Sequence, residues 1–98
     1  MKGMEIRING KRRCIIGVGP SGVLSSIVRW VNIPVDGKSG RNEFGVSAGG
    51  LIVEEKKQTH CMWLNEMLTL GDEVTVKLVE TNKPDRPKSK KTKKGGSQ

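Results

Sequence analysis

Tyrosine is absent from this chain of 98 residues, and its aromatics are two tryptophans and one phenylalanine. Folds that grip single-stranded nucleic acid stack bases on exposed aromatics interleaved with basic residues. Only Trp30, beside Arg29, fits that pattern. Cysteine is limited to Cys14 and Cys61, too few for the disulfide framework of a small secreted scaffold. His60 is the single histidine, and no C-x-x-C or H-x-x-x-H spacing offers the four ligands of a zinc site. On a strand, His60 and Cys61 point to opposite faces and form no dyad. No apolar run approaches the ~20 residues of a membrane span. The opening MKGMEIRINGKRR turns polar too soon for a signal peptide. These absences lead to the expectation of a cytoplasmic protein with reduced thiols and no membrane insertion. They also exclude a metal or cofactor from the reading.

The carboxylates suggest no chemistry either. Glu54 and Glu55 sit beside Lys56 and Lys57 in a charged turn, and Asp72 follows Gly71 where its side chain can bond the backbone. General acid–base work needs a desolvated carboxylate, which no apolar setting supplies here. A chain of this length seldom encloses both a core and a deep pocket, so the expectation is that it is not an enzyme.

What the chain has in excess is lysine, and its distribution matters more than the net charge of +8. Residues 83–98, KPDRPKSKKTKKGGSQ, carry seven basic groups against Asp85, for +6. Residues 1–82 carry eleven basic and nine acidic groups, for +2. The last sixteen residues also hold no apolar side chain larger than proline. This predicts a compact β-rich domain over 1–82 and a disordered basic tail over 83–98.

Within the domain the recurring signal is period two. Met4, Ile6 and Ile8 alternate with polar residues, and Asn9-Gly10 tolerates the positive φ of a tight hairpin. A plain two-residue loop sets Ile6 opposite Arg13. A shift of one residue instead brings Met4 and Ile6 beside Ile16 and Cys14, so a bulge or longer loop is expected. The segment 23–32, VLSSIVRWVN, has a helical stripe at Leu24, Ile27, Val28 and Val31, yet four of its six apolar residues are β-branched. Strand is the first reading and helix the alternative. Pro34–Asn42 reads as a polar loop, followed by alternation through Phe44, Val46 and Ala48. In THCMWL, Cys61 and Trp63 share one side and His60 and Met62 the other. The final run predicts Val74, Val76 and Leu78 inward and Thr75 and Lys77 outward. The sum is a mostly β domain, a small antiparallel sheet or half-open barrel of five to six strands. If 23–32 is helical, the order becomes that of an α+β β-grasp.

The opening MEIRINGK and closing LTLGDEVTVKLVE resemble the first and last strands of the sulfur-carrier and ubiquitin-like β-grasp proteins, over about a third of the chain. The resemblance implies carrier chemistry at a C-terminal diglycine. Here Gly95-Gly96 is followed by Ser97-Gln98.

Gly17–Gly22 matches G-x-G-x-x-G, a pattern that cradles a pyrophosphate where a strand meets a helix in a parallel βαβ unit. The hairpin before it points instead to a glycine-dependent turn. The reading is a non-catalytic interaction module with a protein partner. One alternative is a nucleic-acid-binding protein, with nonspecific contacts through the tail, and another is a β-grasp carrier derivative. Arg29, Trp30, Lys88, Lys90, Lys91, Lys93 and Lys94 are the candidate partner or anion contacts.

Overall fold

The computed structural model describes residues 1–35 and 38–94. Its strands are β1 (Lys2–Ile8), β2 (Lys11–Ile16), β3 (Gly22–Val35), β4 (Lys38–Glu54), β5 (Lys57–Leu68), β6 (Val74–Glu80) and β7 (Ser89–Lys94). All pairings are antiparallel, in a three-stranded sheet ordered β2-β1-β6 and a four-stranded sheet ordered β3-β4-β5-β7. The mostly β expectation holds, with two sheets and seven strands. Residues 23–32 lie wholly within β3, so the helix needed for the α+β alternative does not form. Its β-branched residues fit a pleated surface better than a helical turn. The expected loop at Pro34–Asn42 is largely strand among its described residues, since β4 begins at Lys38: Val35 pairs with Lys38 and, after a register shift, Ile33 pairs with Arg41 and Asn32 with Asn42.

The first hairpin shows how the pattern sets register. Asn9 and Gly10 have φ of 53° and 80°, the left-handed values of a type I′ turn. Ile8 pairs with Lys11 and Arg7 with Arg12. The ladder then slips by one residue, bringing Ile6 opposite Cys14 and Met4 opposite Ile16. The expected bulge is present, and it gathers the apolar residues of both strands on one face.

The core lies between the two sheets. Ile6, Ile8, Cys14 and Ile16 come from the small sheet, and Val46, Ala48, Cys61, Trp63 and Leu64 from the large one. The β4–β5 ladder shifts after Ala48, which pairs with Leu64 while Gly49 pairs with Met62. Trp63 is therefore an extra residue on β5, and the bulge lets Trp63 and Leu64, adjacent in sequence, both be buried. Cys61 and Trp63 are buried while His60 and Met62 are exposed, as the alternation predicts.

The molecule is flat, 49 × 39 × 17 Å, with a radius of gyration of 16.1 Å. A compact chain of this length has about 13 Å. The cause is the β3–β4 hairpin. β5 pairs with β4 only as far as Phe44, so β3 and β4 continue beyond it as a two-stranded arm.

Two expectations fail. Residues 83–94 do not form a disordered tail, because Ser89–Lys94 is β7, paired with β5 from Met62 to Lys57. Residues 95–98, including Gly95-Gly96, lie outside the described residues. Strand pairing is carried by backbone groups, so β7 needs no apolar pattern, and the Thr59 and Thr92 hydroxyls meet across it at 3.1 Å. Secondly, Val76 is 41% and Leu78 76% exposed. They pair with Ile6 and Met4 and so share the inward face, but the large sheet does not extend far enough to cover them. Thr75 and Lys77 are exposed as predicted.

Candidate interaction surface

The connection from β6 to β7 makes the two long sides of the sandwich unequal. Residues 81–88 leave β6 and run along β2 before joining β5. Asp85 accepts the Ile15 amide on its carboxylate at 2.9 Å, and its own amide donates to the Ile15 carbonyl at 2.8 Å. Trp63 Nε1 donates to the Asp85 carbonyl at 2.7 Å, and the Lys88 amide donates to the Met62 carbonyl at 2.7 Å. An ion pair between Arg13 of β2 and Glu66 of β5 joins the sheets on this side. The Cys14 thiol beneath it is raised in pKa, first by burial and then by the nearby Asp85 carboxylate. It therefore stays protonated at neutral pH and lacks the thiolate a nucleophile needs.

The opposite side, formed by β3 and β6, has no such strap among the described residues. Leu24 of β3 and Met4, Leu78 and Val79 of the small sheet line an open cleft of about 460 Å³ there. β3 is an edge strand, and its side chains alternate between two apolar rows. Leu24, Val28 and Trp30 share the inner side with Val46 and Phe44, while Val23, Ile27 and Val31 lie on the outer side. Val28 is 58% and Trp30 60% exposed. Ser26 lies on the inner row, and its hydroxyl is the one buried side-chain polar atom without a partner among the described residues.

The candidate contacts separate. Arg29 and Trp30, adjacent on a strand, project to opposite faces and form no joint patch. The Trp30 ring stacks on Phe44 at 6.1 Å and 15°, and its Nε1 donates to Asn42 Oδ1 at 2.9 Å. Arg29 lies over Gly45 with its guanidinium 3.5 Å from Asn65 Oδ1, so its charge reaches into the sheet, away from the free edge. Lys88 precedes β7, and Lys90, Lys91, Lys93 and Lys94 lie on it, at the opposite edge of the large sheet from β3. Lys91 pairs with His60 and shares the outer face with Arg29. A shallow furrow of about 520 Å³ crosses that face, floored by Ser25, Ser47 and Gly49 and ending at His60 and Lys91.

Gly17–Gly22 leads into a strand, with no helix to receive a pyrophosphate. Gly22 is required by close approach, since a Cβ there would lie 2.3 Å from the Leu51 carbonyl oxygen. Among the described residues no group of three His, Cys, Asp or Glu side chains is placed to hold a metal ion. Among the described residues no helix is long and apolar enough to cross a membrane. The sequence reading missed the β3 edge and the Asp85 strap. Lys83-Pro84-Asp85-Arg86-Pro87 was the available signal, because two prolines flanking an aspartate mark a fixed path, and Pro84 packs close to Gly17. Comparison with protein-family models, with curated proteins and with solved structures finds no match.

Proposed function

We propose that this chain is a non-catalytic protein-interaction module whose recognition element is the free edge of β3, which accepts an extended segment of a protein partner as an added strand. The observation that carries this reading is the make-up of the edge. Along its fourteen residues β3 bears one charge, Arg29, and that charge reaches across the outer face toward Asn65, away from the edge. Natural sheets guard their edges with lysine, proline or a covering loop. A long, apolar edge without lysine, whose one proline, Pro34, stands at its far end, suits strand addition, in which backbone hydrogen bonds give affinity and side-chain rows give selectivity. The lysines of β7 then serve as a guard on the opposite edge and as a weak attraction for acidic partners.

The test is retention of proteins from a nuclease-treated native lysate on the immobilised chain. Ile27→Lys puts a charge on the exposed outer row of β3 and should abolish retention, while Lys91→Ala should preserve it. The reverse pattern, with binding lost on nuclease treatment or in Lys91→Ala and kept in Ile27→Lys, would favour nucleic-acid binding through β7.

A further inference from the structure

We infer that the segment added to β3 is β3 of a second copy, giving a two-fold dimer in which the two large sheets join into one eight-stranded sheet. The inference rests on the reading of β3 as a strand-accepting edge and names its occupant. The charge layout carries it. Of the edge strands, β2 bears Lys11, Arg12 and Arg13, β6 bears Lys77 and Glu80, and β7 bears Lys90, Lys91, Lys93 and Lys94. On meeting their own copies β2 and β7 would set several like charges against one another, whereas β3 sets none and is twice as long as β6. Each copy carries +8, so self-association needs its cations kept apart. Strand spacing is about 4.8 Å, so a β3–β3′ joint holds the two β7 strands about 34 Å apart. That is several times the Debye length of about 8 Å at physiological ionic strength.

The exposed apolar groups give a second reason. Antiparallel pairing about an axis perpendicular to the sheet keeps both inner faces on the same side, so both small sheets lie on that side too. β6 sits above β3, as the cleft shared by Leu24 and Leu78 shows. The joint therefore puts the exposed Leu78 of each copy, which shares its cleft with Leu24, on the side of the sheet that the two copies have in common. A register with Val28 opposite its own copy places Arg29 against Ile27, so the two guanidinium groups do not face each other.

The experiment is molar mass by light scattering and sedimentation across a concentration series, on the full chain. Wild type should move from 10.7 kDa to twice that value. Val28→Lys should raise the dimer Kd by about 100-fold or more, because the symmetric joint buries the new charge twice. Leu78→Lys, at an even more exposed position, should weaken the dimer independently, and Lys91→Ala should leave it intact. Thermal unfolding at low concentration checks that each variant folds. A wild type that stays monomeric at every concentration, or a dimer that neither lysine variant weakens, overturns the inference. A monomeric wild type that still retains a lysate protein in an Ile27-dependent way sinks the dimer and leaves the strand-addition reading standing.

Discussion

The β2–β5–β7 side of this sandwich carries the lysine-rich β7 and is closed, whereas its β3–β6 side carries the more apolar strands and is open. On the closed side, Asp85 and Lys88 tie the connecting segment to β2 and β5, and the Trp63 indole is capped by a backbone carbonyl. On the open side, Leu78 and Trp30 keep most of their surface in water. The difference teaches that burial here follows from which side the chain passes on its way from β6 to β7. The apolar pattern alone does not set it, since the more apolar strands, β3 and β6, lie on the open side. Stability is concentrated where the strap runs, and the remaining apolar surface is left for association.

The largest break in this contrast should come from truncation after Asn82. It removes β7, both Asp85 contacts with Ile15 and the acceptor for Trp63. At about 1 kcal/mol per hydrogen bond, the loss is about 4 kcal/mol or more. That corresponds to a fall in Tm of roughly 15 °C or more, read by thermal unfolding. A shift of only a few degrees would return residues 83–98 to the status of a dispensable tail.

Next comes a pair of neighbours on one face. Ile6 and Val76 are directly opposite, but only Ile6 is covered. Ile6→Ala should cost about 3 kcal/mol and Val76→Ala less than about 1, in denaturant unfolding at concentrations below association. Equal costs would mean that the open side is covered after all. Asp85→Ala comes third. It leaves the Ile15 amide without its carboxylate acceptor while sparing the backbone contacts, and should cost about 1 kcal/mol.

The smallest expected effect is a pH dependence at the turn end of the sheet. Asn9 Nδ2 donates to Asp72 at 3.0 Å, and the Thr69 amide donates to the same carboxylate at 2.8 Å. These bonds hold the Asp72 carboxyl below its ordinary pKa. A depressed folded value stabilises the fold above the unfolded pKa, near pH 4, and that stability is lost as pH falls through the folded value. Asp72→Asn should therefore flatten the acid limb of the stability profile slightly and leave neutral pH nearly unchanged.

Much of this fold was legible in the sequence because strands advertise themselves locally. The period-two runs, the Asn9-Gly10 turn and the apolar mismatch that forces a bulge after Ile6 are properties of adjacent residues and one hairpin partner. So are the buried Cys14 and Cys61 and the outward-facing His60. For Val76 and Leu78 the alternation gives the face but not the burial, since a residue's own strand fixes its direction and a distant element decides whether anything covers it. β7 was invisible because backbone pairing across β5 makes no demand on side-chain hydrophobicity. Trp30 and Arg29 are neighbours in sequence, and the pleat sends them apart. The sequence by itself determined the strands, the tight turn and the apolar rows, through short-range sterics and alternation. Only the tertiary structure decided which edge is strapped and which is free. That choice depends on where the chain crosses between sheets after β6, a long-range event that leaves no periodic trace in the residues it passes.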